Sequence, residues 1–308
     1  MSNLQEIQRP SERFNPQIFI GKEIGNITLV SVLGQGAMGA VFVGYQKSLK
    51  RNVAVKVYPK ALSESGTMRL RLRDEAETVA VLIHSNIVPV FDMGETDDLL
   101  FIIMQLIEGE DLRTYIQRLQ LNPLPSRRAI PLQTCLQIMM QILDALAYAH
   151  EEGVIHRDIK PANIIIDNRN RRPYLADFGI ASSTLSENTL SDVVLGTPLY
   201  ISPEQMWGKL IDLRSDIYSA GIVLFELILG KLPLSKRSLD EIVKIKMYNP
   251  ESLFTCTPSV ASGSIDKDLE NIILQATASD PNSRYCNCNL FRDDLVSYYE
   301  RHFPDNKI

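Results

Sequence analysis

Basic charge, cysteine and long apolar runs are all scarce in this sequence. Lys and Arg number 32 against 37 Asp and Glu, a formal net charge of −5 over 308 residues. Nucleic-acid binders as a class need a basic surface, so that class is disfavoured. Four cysteines are too few for a disulfide scaffold. Cys286 and Cys288 form an isolated C-x-C without a second pair at zinc spacing, so all four are expected as reduced thiols in a cytosolic protein. The longest apolar candidate, SAGIVLFELILG at 219–230, is interrupted by Glu226 and is too short to cross a bilayer. The opening MSNLQEIQRPSERFNPQIFI is polar, holds two prolines and has no apolar stretch before a cleavage site. No internal repeat or low-complexity tract is found. The expectation is a soluble, cytoplasmic chain without a membrane span.

What is present has the balance of an ordinary globular protein, 45% hydrophobic and 22% charged, and is long enough for a large core in two lobes. Residues 1–23 read as a loosely ordered leader and 303–308 as a short tail. From 24 to about 107 the pattern predicts strands, ITLVSVL, AVFVGYQ, NVAVKVY, NIVPVFDM and LLFIIMQLI, separated by Gly, Asn and Asp turns. One helix, 67–83, interrupts them. From 108 to 302 the three- and four-residue apolar spacing predicts helices over 111–120, 133–151, 214–229, 239–248, 266–278 and 289–301. The reading is α+β, a small β-rich lobe followed by a larger α-helical lobe, and clefts between lobes are where ligands tend to bind.

Three signals carry chemistry. LGQGAMGAV at 33–41 lies between two strand-like runs; Gly34, Gly36 and Gly39 remove side chains where backbone N–H groups must approach phosphate oxygens. A strand follows it, which disfavours a dinucleotide-binding turn. In VAVKVY at 53–58, alternation places Ala54 and Lys56 on one face and Val53, Val55 and Val57 on the other. A buried lysine needs a negative partner. Glu75 supplies it, in the stripe Leu72, Glu75, Val79 and Leu82; Glu77 shares its face with Arg73 and reads as solvated. The third signal is HRDIKPANIIIDNRNRRPYLADFG at 156–179. NIIID and PYLADFG read as a hairpin that brings Asn163 close to Asp177. Their oxygens suit Mg²⁺, which takes further ligands from phosphates and water. Asp158 is then placed to accept a hydroxyl proton, and Lys160 to offset charge on the group transferred.

GQGAMGAV, VAVK, HRDIKPAN, DFG and SPE stand in the order and at the spacing of the eukaryotic-like protein kinases, and residues 24–302 resemble that family. GAMGAVF, HSNIVPVFDMGE, GTPLYISPEQ and SDIYSAG resemble its bacterial serine/threonine branch, and Lys160 with Thr197 is similar to serine/threonine rather than tyrosine kinases. The resemblance implies the bilobal protein-kinase fold, an antiparallel β-rich N-lobe with one main helix and an α-helical C-lobe. It implies transfer of the ATP γ-phosphoryl group to protein Ser/Thr hydroxyls, with ATP and Mg²⁺ (or Mn²⁺) as cofactors. Leu33, Val41, Ala54 and Ile165 would sandwich the adenine, with Met104 as gatekeeper and Gln105 to Ile107 as hinge. Gly34, Gln35, Gly36, Ala37, Met38 and Gly39 would cover the phosphates. Lys56, braced by Glu75, would hold the α/β-phosphates. Asp158 would be the base, Lys160 would contact the γ-phosphate, and Asn163 and Asp177 would hold the metal. By the same resemblance His156 is a packing residue, Glu204 and Arg284 form an ion pair, Asp216 ties helix 214–229 to the catalytic loop, and two copies pair through the N-lobe. Ser202 for alanine in Ala-Pro-Glu, Gln105 for an acidic residue and Ser85 for proline depart from the pattern.

Regulation is expected in the hydroxyl-rich stretch between Asp177 and Glu204. Arg157 precedes Asp158, and an arginine there can capture a phosphate and order the loop; Thr189 and Ser191, seven and five residues before Gly196, are the expected autophosphorylation sites. Two other classes compete. A pseudokinase scaffold on the same fold is disfavoured by the full set Lys56, Glu75, Asp158, Asn163 and Asp177. A small-molecule phosphotransferase is disfavoured by GTPLYISPEQ, which resembles a peptide-docking loop.

Overall fold

A computed structural model of the chain describes residues 14–36, 39–60, 77–178, 198–234, 237–248 and 265–305. Their contacts divide them into two compact units. The first draws on the described residues of Met1–Gly66 and Phe91–Leu106, the second on those of Thr67–Val90 and Ile107–Ile308.

Strand-formers at period two build the first unit. β1 (Glu23–Ile24), β2 (Ile27–Gln35), β3 (Ala40–Gln46), β4 (Arg51–Pro59), β5 (Val90–Glu95) and β6 (Leu99–Met104) make a six-stranded sheet in the order β1-β2-β3-β4-β6-β5. The pairs β1–β2, β2–β3, β3–β4 and β4–β6 are antiparallel. Val53, Val55 and Val57 join Phe42, Leu29, Ile27 and Ile103 in one apolar cluster. The expected alternation along β4 is therefore the observed one, with Ala54 and Lys56 on the opposite face. The loosely ordered reading of the N-terminal stretch does not extend to Pro16–Phe19, which form a 3₁₀ turn capped by the Asn15 side chain. Phe19 is buried in the same apolar cluster, a single aromatic that leaves no periodic signal.

The expected strand over NIVPVFDM starts only at Val90. Pro89 has no N–H to give a ladder. The residues before it turn elsewhere: Val88 N–H donates to Leu175 O at 3.0 Å and Leu175 N–H to Asn86 O at 2.7 Å. The Asn86 amide donates to Pro173 O at 2.8 Å. Residues 86–88 thus become a tie within the second unit, whose core also takes in Val79, Leu82 and Ile87. Of the expected helix 67–83, residues 77–83 are described; 77–80 are helical, and 81–83 are not, so the helix ends three residues short of the expected boundary.

The second unit holds α1 (Leu112–Gln120), α2 (Leu132–Glu151), α3 (Pro203–Met206), α4 (Arg214–Leu229), α5 (Leu239–Tyr248), α6 (Lys267–Ala276) and α7 (Cys288–His302), with a small sheet β7 (Gly109–Asp111), β8 (Ile164–Asp167) and β9 (Pro173–Leu175). α4 is apolar almost all round and buried along most of its length, as expected of a central core helix. α2 packs against α4 and α7. In the small sheet β8 pairs with β7 and β9, Ile164 facing Leu175, so the hairpin expected between NIIID and PYLADFG is present. Among the described residues Cys135, Cys286 and Cys288 are free thiols, and no helix is long and apolar enough to cross a membrane.

Candidate active site

The first unit places the glycine-rich turn between β2 and β3. Gly36 N–H donates to Gly39 O at 2.8 Å and closes the turn; Ala37 and Met38 lie outside the described residues. A Cβ on Gly39 would stand 2.0 Å from the Val57 carbonyl oxygen, so the turn lies directly on β4. Gly34 has open space where a side chain would be, and Leu33 beside it is half exposed. Register sets the neighbouring face. Val41 lies across from Lys56, and Ala54 across from Met104; directly opposed residues share a face. The expected nucleotide-binding residues Val41, Ala54, Lys56 and Met104 therefore share one side of this sheet. Glu75, the expected partner of Lys56, lies outside the described residues; Glu77 is exposed, as its pattern implies.

The second unit builds the loop 156–163 from the core outward. Asp216, at the start of α4, is buried. It accepts the His156 N–H and Arg157 N–H, both at 2.8 Å, and His150 Nε2 lies 2.8 Å from Asp216 Oδ2. A carboxylate taking several donors is well satisfied when buried, and it holds two successive amides of the loop. His156 is fully buried. Its Nε2 lies 3.0 Å from Ala176 O, its Nδ1 accepts the Asp158 N–H at 3.3 Å, and its ring packs on Phe178 at 4.5 Å. Burial pushes its pKa down despite the charges of Asp216, Asp158 and Asp177 nearby. It is a neutral packing group.

Asp158, so hung, points its carboxylate at two donors. Lys160 Nζ reaches Oδ1 at 3.0 Å and Oδ2 at 2.7 Å. Asn163 Nδ2 donates to Asp158 O at 2.7 Å and to Oδ2 at 3.0 Å. With its nitrogen committed, Asn163 presents its oxygen as the atom suited to a hard cation. Ala176 N–H donates to Asn163 O at 2.9 Å, which sets Asp177 next to that loop. Arg157 and Asp177 both have left-handed backbone, φ 65° and 57°, a conformation that side chains with a Cβ disfavour and that clusters at functional sites. Among the described residues no group of three or more His, Cys, Asp or Glu could hold a metal by itself. One amide and one carboxylate fit an ion that takes its other ligands from a nucleotide and water.

Beside Asp158 is a pocket lined by Arg157, Asp158, Ile159, Lys160, Tyr200, Ile201 and Ser219. Its far wall belongs to the segment before α3. Ser202 caps α3, and Gln205 returns its side-chain oxygen to the Ser202 N–H at 3.1 Å, a capping box. Gln205 also donates to Arg157 O at 2.9 Å. The serine that departs from the Ala-Pro-Glu pattern thus helps bind this segment to the loop carrying Asp158. Glu204 and Arg284 form a buried bidentate pair at 2.7 and 2.8 Å, with Ser215 Oγ donating to Glu204 at 2.6 Å. Burial alone would raise the Glu204 carboxyl; Arg284 and Ser215 outweigh it and hold it below the ordinary carboxylate range.

Sequence reasoning reached Asp216, His156 and the Glu204–Arg284 pair, but not His150, Gln205, Tyr200, Glu226 or Lys246. The signal for these was weak: each is a polar residue inside or beside a helical pattern, with nothing in its spacing to show what it meets. Thr189 and Ser191 lie outside the described residues.

Comparison with known proteins decides the family. The family model described as the protein kinase domain matches residues 27–296. The chain belongs to the bacterial-type serine/threonine protein kinases. It is 40% identical over 288 residues to the serine/threonine-protein kinase PrkC of Bacillus subtilis, covering 92% of this chain and 42% of that protein. It is 35% identical over 284 residues to PknB of Mycolicibacterium smegmatis, covering 90% and 43%. The chain thus spans about two fifths of the length of these curated relatives. The crystal structure of the Mycobacterium tuberculosis PknI kinase domain matches at a TM-score of 0.69 with 29% identity, covering 90% of this chain and 98% of that one. The fold is the bilobal protein-kinase fold, an antiparallel β-rich lobe and a larger helical one.

Proposed function

We propose that this kinase transfers the γ-phosphoryl group of ATP to serine and threonine hydroxyls of proteins. The arrangement around Asp158 carries the reading: a carboxylate hung from the core helix, flanked at hydrogen-bond distance by Lys160 and Asn163. Asp158 orients the acceptor hydroxyl and takes its proton. Lys160 offsets negative charge on the group in flight. Asn163 and Asp177 would hold Mg²⁺, which supplies neutralisation and alignment of the phosphates when bound. Leu33, Val41, Ala54, Ile165, Met104, Gln105 and Ile107 would receive the adenine, the 34–39 turn would cover the phosphates, and Lys56 with Glu75 would grip them. The kinase domain is taken as 24–302, in a cytoplasmic chain whose copies pair through the N-lobe.

The expected autophosphorylation of Thr189 or Ser191 has a receptor in Arg157. Its Nε is buried and has no hydrogen-bond partner among the described residues, a donor that a phosphate would satisfy.

Incubation with ATP, Mg²⁺ and a generic basic protein should give labelled Ser and Thr. Asp158→Asn should lower transfer about 10²–10⁴-fold, the range for losing a general base. Nucleotide binding without transfer would favour the scaffold reading, and phosphate on a small acceptor alone would favour a small-molecule phosphotransferase. Mass spectrometry should find phosphate in the 180–196 peptide; an unmodified peptide at full activity would end the autophosphorylation idea.

A further inference from the structure

Lys246, on α5, is 2% exposed and has no part in the chemistry above. Its Nζ donates to the carbonyl oxygens of Leu199 and Ile201, both at 2.6 Å, and of Pro198 at 3.0 Å. An ammonium has three N–H bonds, so each has an acceptor. The Tyr218 ring lies 5.0 Å from Nζ, which adds attraction for the cation. Burial and the Arg284 charge push its pKa down, opposed by Glu204; the three carbonyl dipoles favour the protonated form as well.

Residues 198–200 form a turn and 201 a bend, so their carbonyls lack the partners a helix or sheet supplies. Side chains meet that need instead. Lys246 takes Pro198, Leu199 and Ile201, and Ser219 Oγ donates to Tyr200 O at 2.9 Å. The Tyr200 hydroxyl in turn donates to Glu226 at 2.5 Å. An apolar side chain at 246 could fill the space but would leave three acceptors unmatched. Tyr200 and Ile201 line the pocket that also contains Asp158 and Lys160.

We propose that Lys246 is a positioning residue for the acceptor polypeptide. Its ammonium pins the main chain of 198–201 and so sets the wall beside Asp158 against which the acceptor lies. This rests on the protein-kinase reading. The test is steady-state kinetics of the whole chain with an acceptor peptide, comparing wild type, Lys246→Met and Lys246→Arg. In Lys246→Met the acceptor KM should rise about tenfold, the scale of losing buried hydrogen bonds. The KM for ATP should stay within about twofold, since uniform acceptor binding is what is lost. Lys246→Arg, which keeps the charge and donors, should recover most of the acceptor KM. An unchanged acceptor KM in Lys246→Met, or an equal rise in Lys246→Arg, overturns the proposal. Should Lys246→Met not fold, nitrogen-15 NMR of the wild type decides. A slowly exchanging Lys246 ammonium signal that moves with acceptor peptide supports the clamp, and one averaged with solvent overturns it. Wild-type protein that transfers no phosphate would overturn the kinase reading itself, an outcome distinct from transfer with Lys246 immaterial.

Discussion

A methyl group at residue 39 would collide with the Val57 carbonyl at 2.0 Å, and backbone cannot swing aside as a side-chain tip can. Gly39→Ala is expected to cost about 1–3 kcal/mol of stability, as overpacking does, and to weaken ATP binding; thermal melting with and without nucleotide reads both. A melting point equal to wild type would show that the turn does not lie on β4. Arg284 raises the opposite problem, a cation that cannot be removed alone. Arg284→Met leaves Glu204 charged and buried, so a loss of about 3–5 kcal/mol is expected in denaturant unfolding. At this scale the meeting of Asp158, Lys160 and Asn163 was legible because the three stand within six residues of one another in one loop. Gln205 and Lys246 were not. Both act on backbone carbonyls far away in sequence, and a carbonyl is the same at every position.

Helices 214–229 and 239–248 were readable to the residue; the first stops at Gly230, whose left-handed backbone (φ 64°) closes it. The strand over 86–89 was misread because its apolar content resembles a ladder while Pro89 forbids one. Contacts between elements are harder to infer. Gly221 in α4 allows α6 to approach so closely that a Cβ would lie 2.7 Å from Thr277 Cγ2 and 2.9 Å from Ala276 Cβ. Gly221→Leu is therefore expected to destabilise the helical unit by about 1–3 kcal/mol or more, measured by urea midpoint, and a neutral result would refute the close crossing. Ser202→Ala, which removes the α3 cap, should cost about 1 kcal/mol.

On the acid side, the whole molecule's response to pH includes two buried groups with depressed pKa values, His156 and Glu204. His156 is held neutral when folded but protonates in the unfolded chain near its ordinary value of 6.5. Below that pH the unfolded state binds the extra proton, so stability falls as pH drops through 6.5 and is flat above it. Glu204 is held below its ordinary value of 4.5; its contribution is present above that value and is lost as pH falls through the lower folded one. Melting temperature should sag below about pH 6.5 and fall more steeply below about 4.5. His156→Gln should remove the first leg while leaving the second. An unaltered acid profile in that variant would mean another group is responsible.

The left-handed backbone at Arg157 and Asp177 has a consequence for anyone improving this protein in the laboratory. An L-residue in that conformation is disfavoured by about 1–2 kcal/mol, whereas glycine is at ease there. A library sorted only for heat resistance should accumulate Arg157→Gly and Asp177→Gly, and its hardiest clones would lack the two side chains proposed to capture a phosphate and to hold the metal.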